Sequence, residues 1–182
     1  MAVRSSFYKM GVIARQVFIQ ETADLGERAI KYAFNQRHKG WFRPKDKKGA
    51  NEWYSETGNL HDSFGSAVYV SGQLQVDTIR YVDNEIWSTK SHHQFGEGRK
   101  ALNDYLRRFR PTSKKNEVTL VVIAAMPYAS VLENKYKIYV ISEARQYIDE
   151  HWHEIETNVY KKLRLKKPDT RVIKGNMRAL NV

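Results

Sequence analysis

Six histidines are the residues best suited to metal chemistry, because neutral imidazole is a common metal ligand. His92 and His93 are adjacent, so their side chains diverge in either a helix or a strand. His151 and His153 flank Trp152 at positions about 200° apart around a helix, where they cannot bind one ion together. Because neither pair has the spacing of convergent ligands, we predict no metal site and assign the histidines to surface or packing positions.

Acid–base and nucleophilic chemistry have no stronger pattern. Glu150 and Glu154 are four residues apart on a predicted helix, but their place on its polar side favours a solvated face over an acid–base pair. His61-Asp62 could be a metal dyad of the phosphohydrolase kind, yet the other ligand motifs are missing from the sequence. We expect this dyad on the exposed side of a helical turn, facing solvent or capping local backbone groups. With no phosphate-binding glycine loop and no nucleophile elbow, we predict no enzyme, no catalytic residues and no cofactor.

Composition fits one globular domain made soluble inside a cell. The chain has 182 residues, of which 41% are hydrophobic and 12% aromatic, enough to build a core. It has no cysteine, which excludes disulfides and thiolate metal sites. No apolar signal core follows Met1–Ser6, and no run approaches the length of a membrane span. We predict one domain over residues 1–163, followed by a basic extension over residues 164–182.

The net charge of +11 is concentrated in two segments. Residues 37–48 carry a net charge of +5 and residues 161–182 carry +7, while the other parts of the chain are close to neutral. Such a pattern suits contact with nucleic acid or an acidic protein, or else a solvated surface. Trp41 and Phe42 could stack a base, although packing on the domain or on a neighbouring subunit is favoured. The candidate contact residues are Arg37, Lys39, Trp41, Arg43, Lys45, Lys47 and Lys48 in the loop, and Lys161, Lys162, Arg164, Lys166, Lys167, Arg171 and Lys174 in the tail.

Apolar periodicity predicts two long helices and a short one. The first spans residues 7–36, with Gly26 as a weak point that costs roughly 1 kcal/mol relative to alanine. The last runs from about Ser142, as its N-cap, to about Leu163. A short helix runs from Arg99 to Arg110, after a break at Gly96 and Gly98. The apolar stripes are Val12, Ile13, Val17, Leu25, Ala29, Ile30 and Ala33 in the first helix, Leu102, Tyr105, Leu106 and Phe109 in the short one, and Ala144, Tyr147, Ile148, Trp152, Ile155 and Val159 in the last.

The remaining patterns predict an antiparallel sheet. Residues 68–70 and 74–76 flank Ser71-Gly72, a two-residue hairpin turn whose glycine supplies a positive φ. Residues 79–88 extend the sheet, and the β-branched run 118–125 forms a central strand that is buried on both faces. Residues 136–141 form a further strand or the lead into the last helix. The fold class is therefore α+β, with long N-terminal and C-terminal helices packed on an antiparallel sheet and a short inserted helix.

One short segment predicts a tight corner that starts a strand. Thr57 can cap a helical turn, Gly58 lets the backbone turn, and Leu60 and Phe64 share one buried face. A second short motif follows the central strand. The corner motif consists of Thr57, Gly58, Asn59, Leu60, Ser63 and Phe64, and the second motif of Pro127, Tyr128, Ala129 and Glu133.

The order of corner, hairpin, central strand, Pro-Tyr-Ala-x-x-x-Glu and closing helix resembles the tail-completion or head–tail joining (neck) proteins of long-tailed bacteriophages. The resemblance covers about residues 10–160, and His93-Gln94-Phe95-Gly96 is similar to a segment of a related phage morphogenesis family. The chain departs from the family pattern after Glu133, where Asn134-Lys135-Tyr136 stands in place of Glu-Phe-Gly-Thr. Residues 88–116 look like an insertion.

The resemblance implies a structural virion protein, made in the host bacterial cytoplasm, that forms a ring around the DNA channel and joins the portal to the tail. Its expected partners are further copies of itself, a portal or adaptor ring and tail-tube or tail proteins, with possible non-specific contact with packaged DNA and no membrane. Its basic tail would become ordered on a neighbouring ring. The alternative is a basic DNA-binding protein or nuclease outside the virion, whose DNA affinity would fall with salt and depend on residues 37–48. A basic binding module for another protein is a third hypothesis.

Overall fold

The computed structural model describes residues 2–6, 11–37, 59–77, 97–137 and 139–165; for residues 2–6, Arg37 and His61 it describes the backbone. In chain order the elements are β1 (Ala2–Ser6), α1 (Val12–Arg37), α2 (Asn59–Asp62), β2 (Phe64–Val70), β3 (Gln73–Asp77), α3 (Glu97–Arg108), β4 (Glu117–Ala124), α4 (Ala129–Asn134) and α5 (Val140–Lys162). The long helices α1 and α5 pack against an antiparallel sheet with short helices between them, which confirms the predicted α+β class. The predicted strand at 79–88, the basic loop and the tail after Pro168 lie outside the described residues.

Within the described residues the sheet has four strands in the order β1-β4-β2-β3, and every neighbouring pair is antiparallel. Strand β4 lies between β1 and β2, as its β-branched sequence predicted. Leu120 and Val122 belong to a core beneath α1 and α5, whereas Val121 belongs to a second core beneath α3. Because side chains alternate along a strand, helices on both faces of the sheet explain why β4 is apolar at successive positions.

Strand β1 was not predicted. Ala2 pairs with Val121 and Ser6 with Glu117, so the first residues of the chain add an edge strand to β4. The segment contains Arg4 and two serines, and it has no apolar alternation that would mark a strand. Its conformation therefore follows from the pairing partner that β4 offers, since strand preference depends strongly on tertiary context.

The main core forms where α1 and α5 cross the sheet. Leu25 and Ile30 of α1 and Ile148 and Ile155 of α5 are almost fully buried, which confirms most of both predicted stripes. The predicted burial of the first two residues of the α1 stripe is wrong. Val12 is 75% exposed and Ile13 is 69% exposed, because no described element covers the first turn of α1.

Two charged pairs join α1 to α5. Glu21 is buried within α1, and the Nζ of Lys162 binds its carboxylate. The hydrogen bond to Glu21 and the negative charge of Glu21 raise the pKa of Lys162, so the lysine stays charged. Arg28 Nη1 lies 3.4 Å from Glu154 Oε2. Glu154 is thus half-exposed at the surface, where it also bridges to α1, and Glu150 is exposed, so neither carboxylate contradicts the predicted solvated face.

Helix α3 covers the other face of the sheet, close to its predicted span. Leu102 and Leu106 pack on Tyr69 and Val121. The buried Tyr69 hydroxyl donates a hydrogen bond to the Leu106 carbonyl at 3.2 Å. Burial raises the pKa of Tyr69 to about 12, so the phenol keeps the proton that it donates. Gly98 was predicted to lie in a break before this helix. It is instead a buried residue in the first turn of the helix.

The predicted hairpin is present. Ser71 has φ 52° and Gly72 has φ 79°. Positive φ at both central residues matches the two-residue turn whose twist suits antiparallel strands. The turn lies next to the chain entering β4, where the Ser71 N–H donates to the Glu117 carbonyl at 3.0 Å.

Candidate functional site at the junction of the two motifs

The two sequence motifs meet at one end of the sheet. Phe64 begins β2 and Ala124 ends β4, and the two residues are direct partners in the antiparallel register. The Ala125 N–H donates to the Ser63 carbonyl at 3.0 Å, which extends the pairing into the corner motif and to two residues before the second motif. Antiparallel pairing thus joins two segments about sixty residues apart in the chain. Thr57 and Gly58 lie outside the described residues.

The corner is a single helical turn that closes on itself. The backbone N–H and the Oγ of Ser63 both donate to the Leu60 carbonyl, at 3.1 Å and 2.7 Å. Leu60 and Phe64 are buried as predicted, and the Phe64 ring meets Phe34 of α1 edge-on at 4.9 Å. Asp62 is buried, so its predicted exposure is wrong. The reason is that α2 is one turn long and packs against α3 and β2, which leaves this carboxylate little access to solvent.

Asn59 fastens the corner to the start of α3. Its Oδ1 accepts the Gly98 N–H at 3.4 Å, and its Nδ2 donates to the Glu97 Oε2 at 3.3 Å. The side chain therefore satisfies one of the unpaired N–H groups at the N-terminus of α3. Burial, and then the negative charge of the same Glu97, raise the pKa of Tyr128 in the second motif.

Sequence reasoning missed Glu97 and Gly98. The pair Glu97-Gly98 stood in a segment that was interpreted as a break followed by an insertion. The available signal was weak: an acidic residue in the first turn of an amphipathic helix, where it complements the helix dipole. Both residues contact the corner motif, so the helix within the predicted insertion is part of the site.

Glu133 binds the N-terminus of α5. Its Oε1 accepts the Ser142 N–H at 2.8 Å and the Ser142 Oγ–H at 2.6 Å, and its Oε2 accepts the Ile141 N–H at 3.2 Å. Ser142 is therefore not the N-cap that was predicted. The helix begins at Val140, and its N-cap is Tyr139, whose side chain makes no capping bond. A carboxylate from α4 caps the helix in place of a local serine.

The chain enters α5 through an unusual backbone conformation. Lys137 has φ 58° and Tyr139 has φ 57°, both in the left-handed region that costs a non-glycine residue about 1 kcal/mol or more. The described residues of the 136–141 segment are thus the lead into a helix and its first turn, one of the two predicted options. The three hydrogen bonds that Glu133 accepts stabilise this backbone conformation and offset its conformational cost.

Replacing Glu133 with alanine is expected to lower the free energy of unfolding by about 2 kcal/mol, because three hydrogen bonds to a carboxylate are lost at a helix N-terminus. Glu133→Gln retains one acceptor oxygen and is expected to lose about half as much. Urea denaturation followed by circular dichroism measures both changes. Glu150→Ala is the control, since this exposed carboxylate accepts one bond from Gln146, and we expect a change below about 0.5 kcal/mol. Equal losses at Glu133 and Glu150 would contradict the capping role.

An apolar cavity of about 330 Å³ lies between the two motifs. Leu60 and Phe64 line it from the corner, Leu132 from α4 and Val140 from the start of α5. Glu133 is a polar member of the lining. The remaining lining residues are Tyr105, Val121, Val122, Ile123, Ala124, Ala129, Ser130, Asn134 and Ile141.

Exposed apolar side chains also lie on α4, the helix that supplies Leu132 and Glu133 to the cavity lining. Tyr128 is 40% exposed, Val131 is 44% exposed and Tyr136 is 56% exposed, and all three belong to α4 or to its ends. A cavity with apolar walls, on an element that also exposes apolar side chains, is typical of a surface that binds another apolar group. The motif residues thus have two structural roles. Asn59, Ser63 and Glu133 make hydrogen bonds that stabilise the packing of the elements, and their neighbours form a concave surface.

The predicted basic contact residues are only partly described. Lys161 and Lys162 end α5 and Arg164 follows it; all three are exposed, and Lys162 is engaged with Glu21. Arg164 has φ 54°, and the Leu165 N–H donates back to the Tyr160 carbonyl at 2.9 Å, which closes the helix. Arg37 ends α1, and its side chain is not described. The other candidates, Lys39, Trp41, Arg43, Lys45, Lys47, Lys48, Lys166, Lys167, Arg171 and Lys174, lie outside the described residues.

The described histidines take packing or surface positions. His151 stacks on Tyr147 with ring centroids 4.0 Å apart, and its Nδ1 lies 2.8 Å from the Tyr147 carbonyl oxygen. His153 is exposed. Within the described ranges, no group of three or more histidine, aspartate or glutamate side chains is placed to hold a metal ion. In the same part of the chain, no helix has the length and hydrophobicity needed to cross a membrane.

Comparison with known proteins found no match to this chain among protein-family models, curated proteins or solved structures. The likeness to phage neck proteins therefore depends on the two motifs and on the order of the elements. The described geometry adds that residues of both motifs line one cavity, at the end of the sheet where β2 and β4 are paired.

Proposed function

We propose that this chain is a structural protein of the phage neck that forms a homo-oligomeric ring around the DNA channel and joins the portal to the tail. The observation that carries the proposal is that both motifs supply residues to one apolar cavity at one end of the sheet, where α4 also exposes apolar side chains. Such a surface suits the binding of a neighbouring subunit. The virion neck is the proposed location, with a portal or adaptor ring and tail proteins as further partners.

A ring requires two different surfaces on each copy, because head-to-tail contacts close only when one patch binds a distinct patch on the next copy. The cavity and the exposed apolar side chains of α4 provide one surface. The exposed first turn of α1, with Val12 and Ile13, provides the other. Phe34, near the far end of α1, contacts the corner at Phe64. Val12 is thus about 33 Å along the helix from the cavity end of the molecule.

This arrangement suits head-to-tail assembly. The apolar side chains of Val12 and Ile13 in one copy would enter the cavity of the next, while the sheet and the paired helices α1 and α5 hold the two surfaces at a fixed separation. The basic residues of the loop and tail would then meet acidic surfaces of the neighbouring rings. A strongly cationic channel would bind DNA tightly, and this favours placing those residues away from the lumen.

Ring formation is expected to disappear in Ile13→Arg and in Val131→Arg, because each variant places a charge within one of the two apolar surfaces. Native mass spectrometry and negative-stain electron microscopy of the purified protein measure this. Thr157→Arg is the control, since it adds the same charge at an exposed position of α5. We expect the wild type and the control to form closed rings and the two variants to be monomeric.

A mixture of the two variants gives a sharper test. An Ile13→Arg copy retains an intact cavity and a Val131→Arg copy retains an intact first turn, so the mixture should form heterodimers that cannot extend. Neither variant alone should dimerise. A wild-type protein that is monomeric at high concentration and absent from virions would overturn the proposed function. Rings that survive both substitutions would overturn this assignment of the subunit contact.

A further inference from the structure

Helix α3 and the turn after it form a strongly basic surface. Residues 97–117 contain seven lysines and arginines against Glu97, Asp104 and Glu117, a net charge of +4. By contrast, α1 and α5 together contain seven basic and eight acidic residues. All seven basic side chains of this segment are exposed: Arg99, Lys100, Arg107, Arg108, Arg110, Lys114 and Lys115. Among the described long helices and α3, the excess positive charge therefore lies on the side of the sheet that α3 covers.

The fold holds these charges on a fixed frame. Leu102 and Leu106 bury one side of α3, so Lys100 and Arg107, two turns apart, lie on the outward side at a spacing of about 10 Å. Where α3 ends, the Nη1 of Arg110 donates to the carbonyls of Arg107 and Phe109, each at 2.7 Å. These two hydrogen bonds to backbone carbonyls cap the C-terminus of the helix.

The turn beyond α3 is also fixed. The Lys114 N–H donates to the Glu117 carboxylate at 2.7 Å, and the Asn116 N–H donates to the Ser71 Oγ at 2.8 Å. Lys114 and Lys115 thus extend the basic surface from a turn that is bonded to the β2–β3 hairpin. Pre-positioned cations lose less conformational freedom on binding than cations on a loose segment.

The composition of the surface indicates its partner. Residues 97–117 include no large exposed hydrophobic side chain. Protein interfaces typically have an aromatic or apolar centre, whereas contacts to the DNA backbone are polar and strongly basic. Guanidinium groups also match phosphate oxygens in geometry. We propose that the outward side of α3 and the 109–115 turn bind the phosphate backbone of double-stranded DNA without reading its sequence. This inference does not depend on the proposed ring.

The test uses the full chain and a labelled 30-base-pair duplex of mixed sequence, with fluorescence anisotropy between 50 and 200 mM NaCl. The test variant carries Lys100→Gln, Arg107→Gln, Lys114→Gln and Lys115→Gln. The control variant loses the same charge elsewhere, through Arg15→Gln, Lys31→Gln, Lys135→Gln and Arg145→Gln. Glutamine is a good helix former at exposed positions, and thermal unfolding checks that both variants are folded.

We expect the test variant to have a salt dependence shallower by about 3 to 4 in the slope of log K against log salt, since each phosphate contact contributes about 0.9. Over this fourfold range of salt, the wild type should lose about 100-fold more affinity than the test variant loses. The control should keep the wild-type slope. An equal reduction of the slope in both variants, or an unchanged slope in the test variant, would overturn the proposal. Tighter binding of poly-glutamate than of DNA, lost in the same variant, would also overturn it and assign the surface to an acidic protein.

Discussion

Replacing Gly98 with alanine is expected to destabilise the protein severely, by about 4 kcal/mol or more, even though alanine is the better helix former. A Cβ at this position would lie 1.8 Å from the carbonyl oxygen of Asn59 and 2.7 Å from its carbonyl carbon. Both are backbone atoms, so no side-chain rotation relieves the overlap. Helix α3 would have to move away from the corner, with loss of the bond between the Gly98 N–H and the Asn59 Oδ1.

Chemical denaturation of Gly98→Ala and of the control Gly11→Ala measures this effect. Gly11 precedes α1, and no atom lies within 4 Å of the position of its added Cβ. We expect the control to change the free energy of unfolding by less than about 1 kcal/mol. If Gly98→Ala instead stabilised the protein, as helix propensity alone predicts, the close contact between α2 and α3 would not exist in solution. If Gly98→Ala disrupted the packing of the second core beneath α3 and left the packing of the main core intact, the destabilisation would be located at this contact.

Gly98 illustrates which part of the fold the sequence could predict. Apolar periodicity identified α1, α3 and α5, and the β-branched run identified the central strand, because these signals reflect burial of one side of each element. The close approach of two backbones leaves no such periodic signal. It requires a glycine, and a glycine near the start of a helix looks the same as a glycine in a break.

Long-range polar contacts were beyond prediction for a related reason. Ser142 preceding Glu143 has the local pattern of an N-cap, yet Glu133 caps the helix from another element. Glu21 interrupts no periodic pattern, and its burial became evident only with Lys162 placed opposite it. In both cases the partner lies on another element, and its position depends on the tertiary fold. Strand β1 likewise depends on the edge that β4 offers.

The candidate site was predictable in its parts and less so in its assembly. The motifs could be placed before β2 and after β4, and antiparallel pairing of these strands brings them together. The contribution of Glu97 and the basic surface of α3 could not be found in the same way. The seven basic residues of α3 and the turn after it are divided between residues 49–100, with a net charge of −3, and residues 101–160, with a net charge of zero, so the concentration of charge on one helix was not apparent.

Replacing Gly26 with alanine is the second substitution for which packing reverses the expectation from the sequence. In an isolated helix the change would stabilise α1 by about 1 kcal/mol. In this fold the added Cβ would lie 2.6 Å from the Ser66 Oγ, 2.9 Å from the Ser66 Cβ and 2.9 Å from the Leu120 Cδ1. These side chains are buried where α1 crosses β2 and β4. We therefore expect Gly26→Ala to destabilise the protein by about 2 to 3 kcal/mol, measured by urea denaturation.

A double-mutant cycle separates this overlap from any change in helix propensity. Ser66→Gly removes both of the Ser66 atoms that the new methyl group would meet, and it leaves the terminal methyl of Leu120, which can rotate away. Ser66→Gly alone should also destabilise, because a glycine inside a strand weakens it. The double variant should then lose less unfolding free energy than the sum of the two single losses, by at least about 1 kcal/mol. The reason is that Ser66→Gly relieves the overlap that Gly26→Ala creates. Strictly additive losses would indicate that α1 does not approach β2 at Gly26, and that the cost of Gly26→Ala arises elsewhere in the helix.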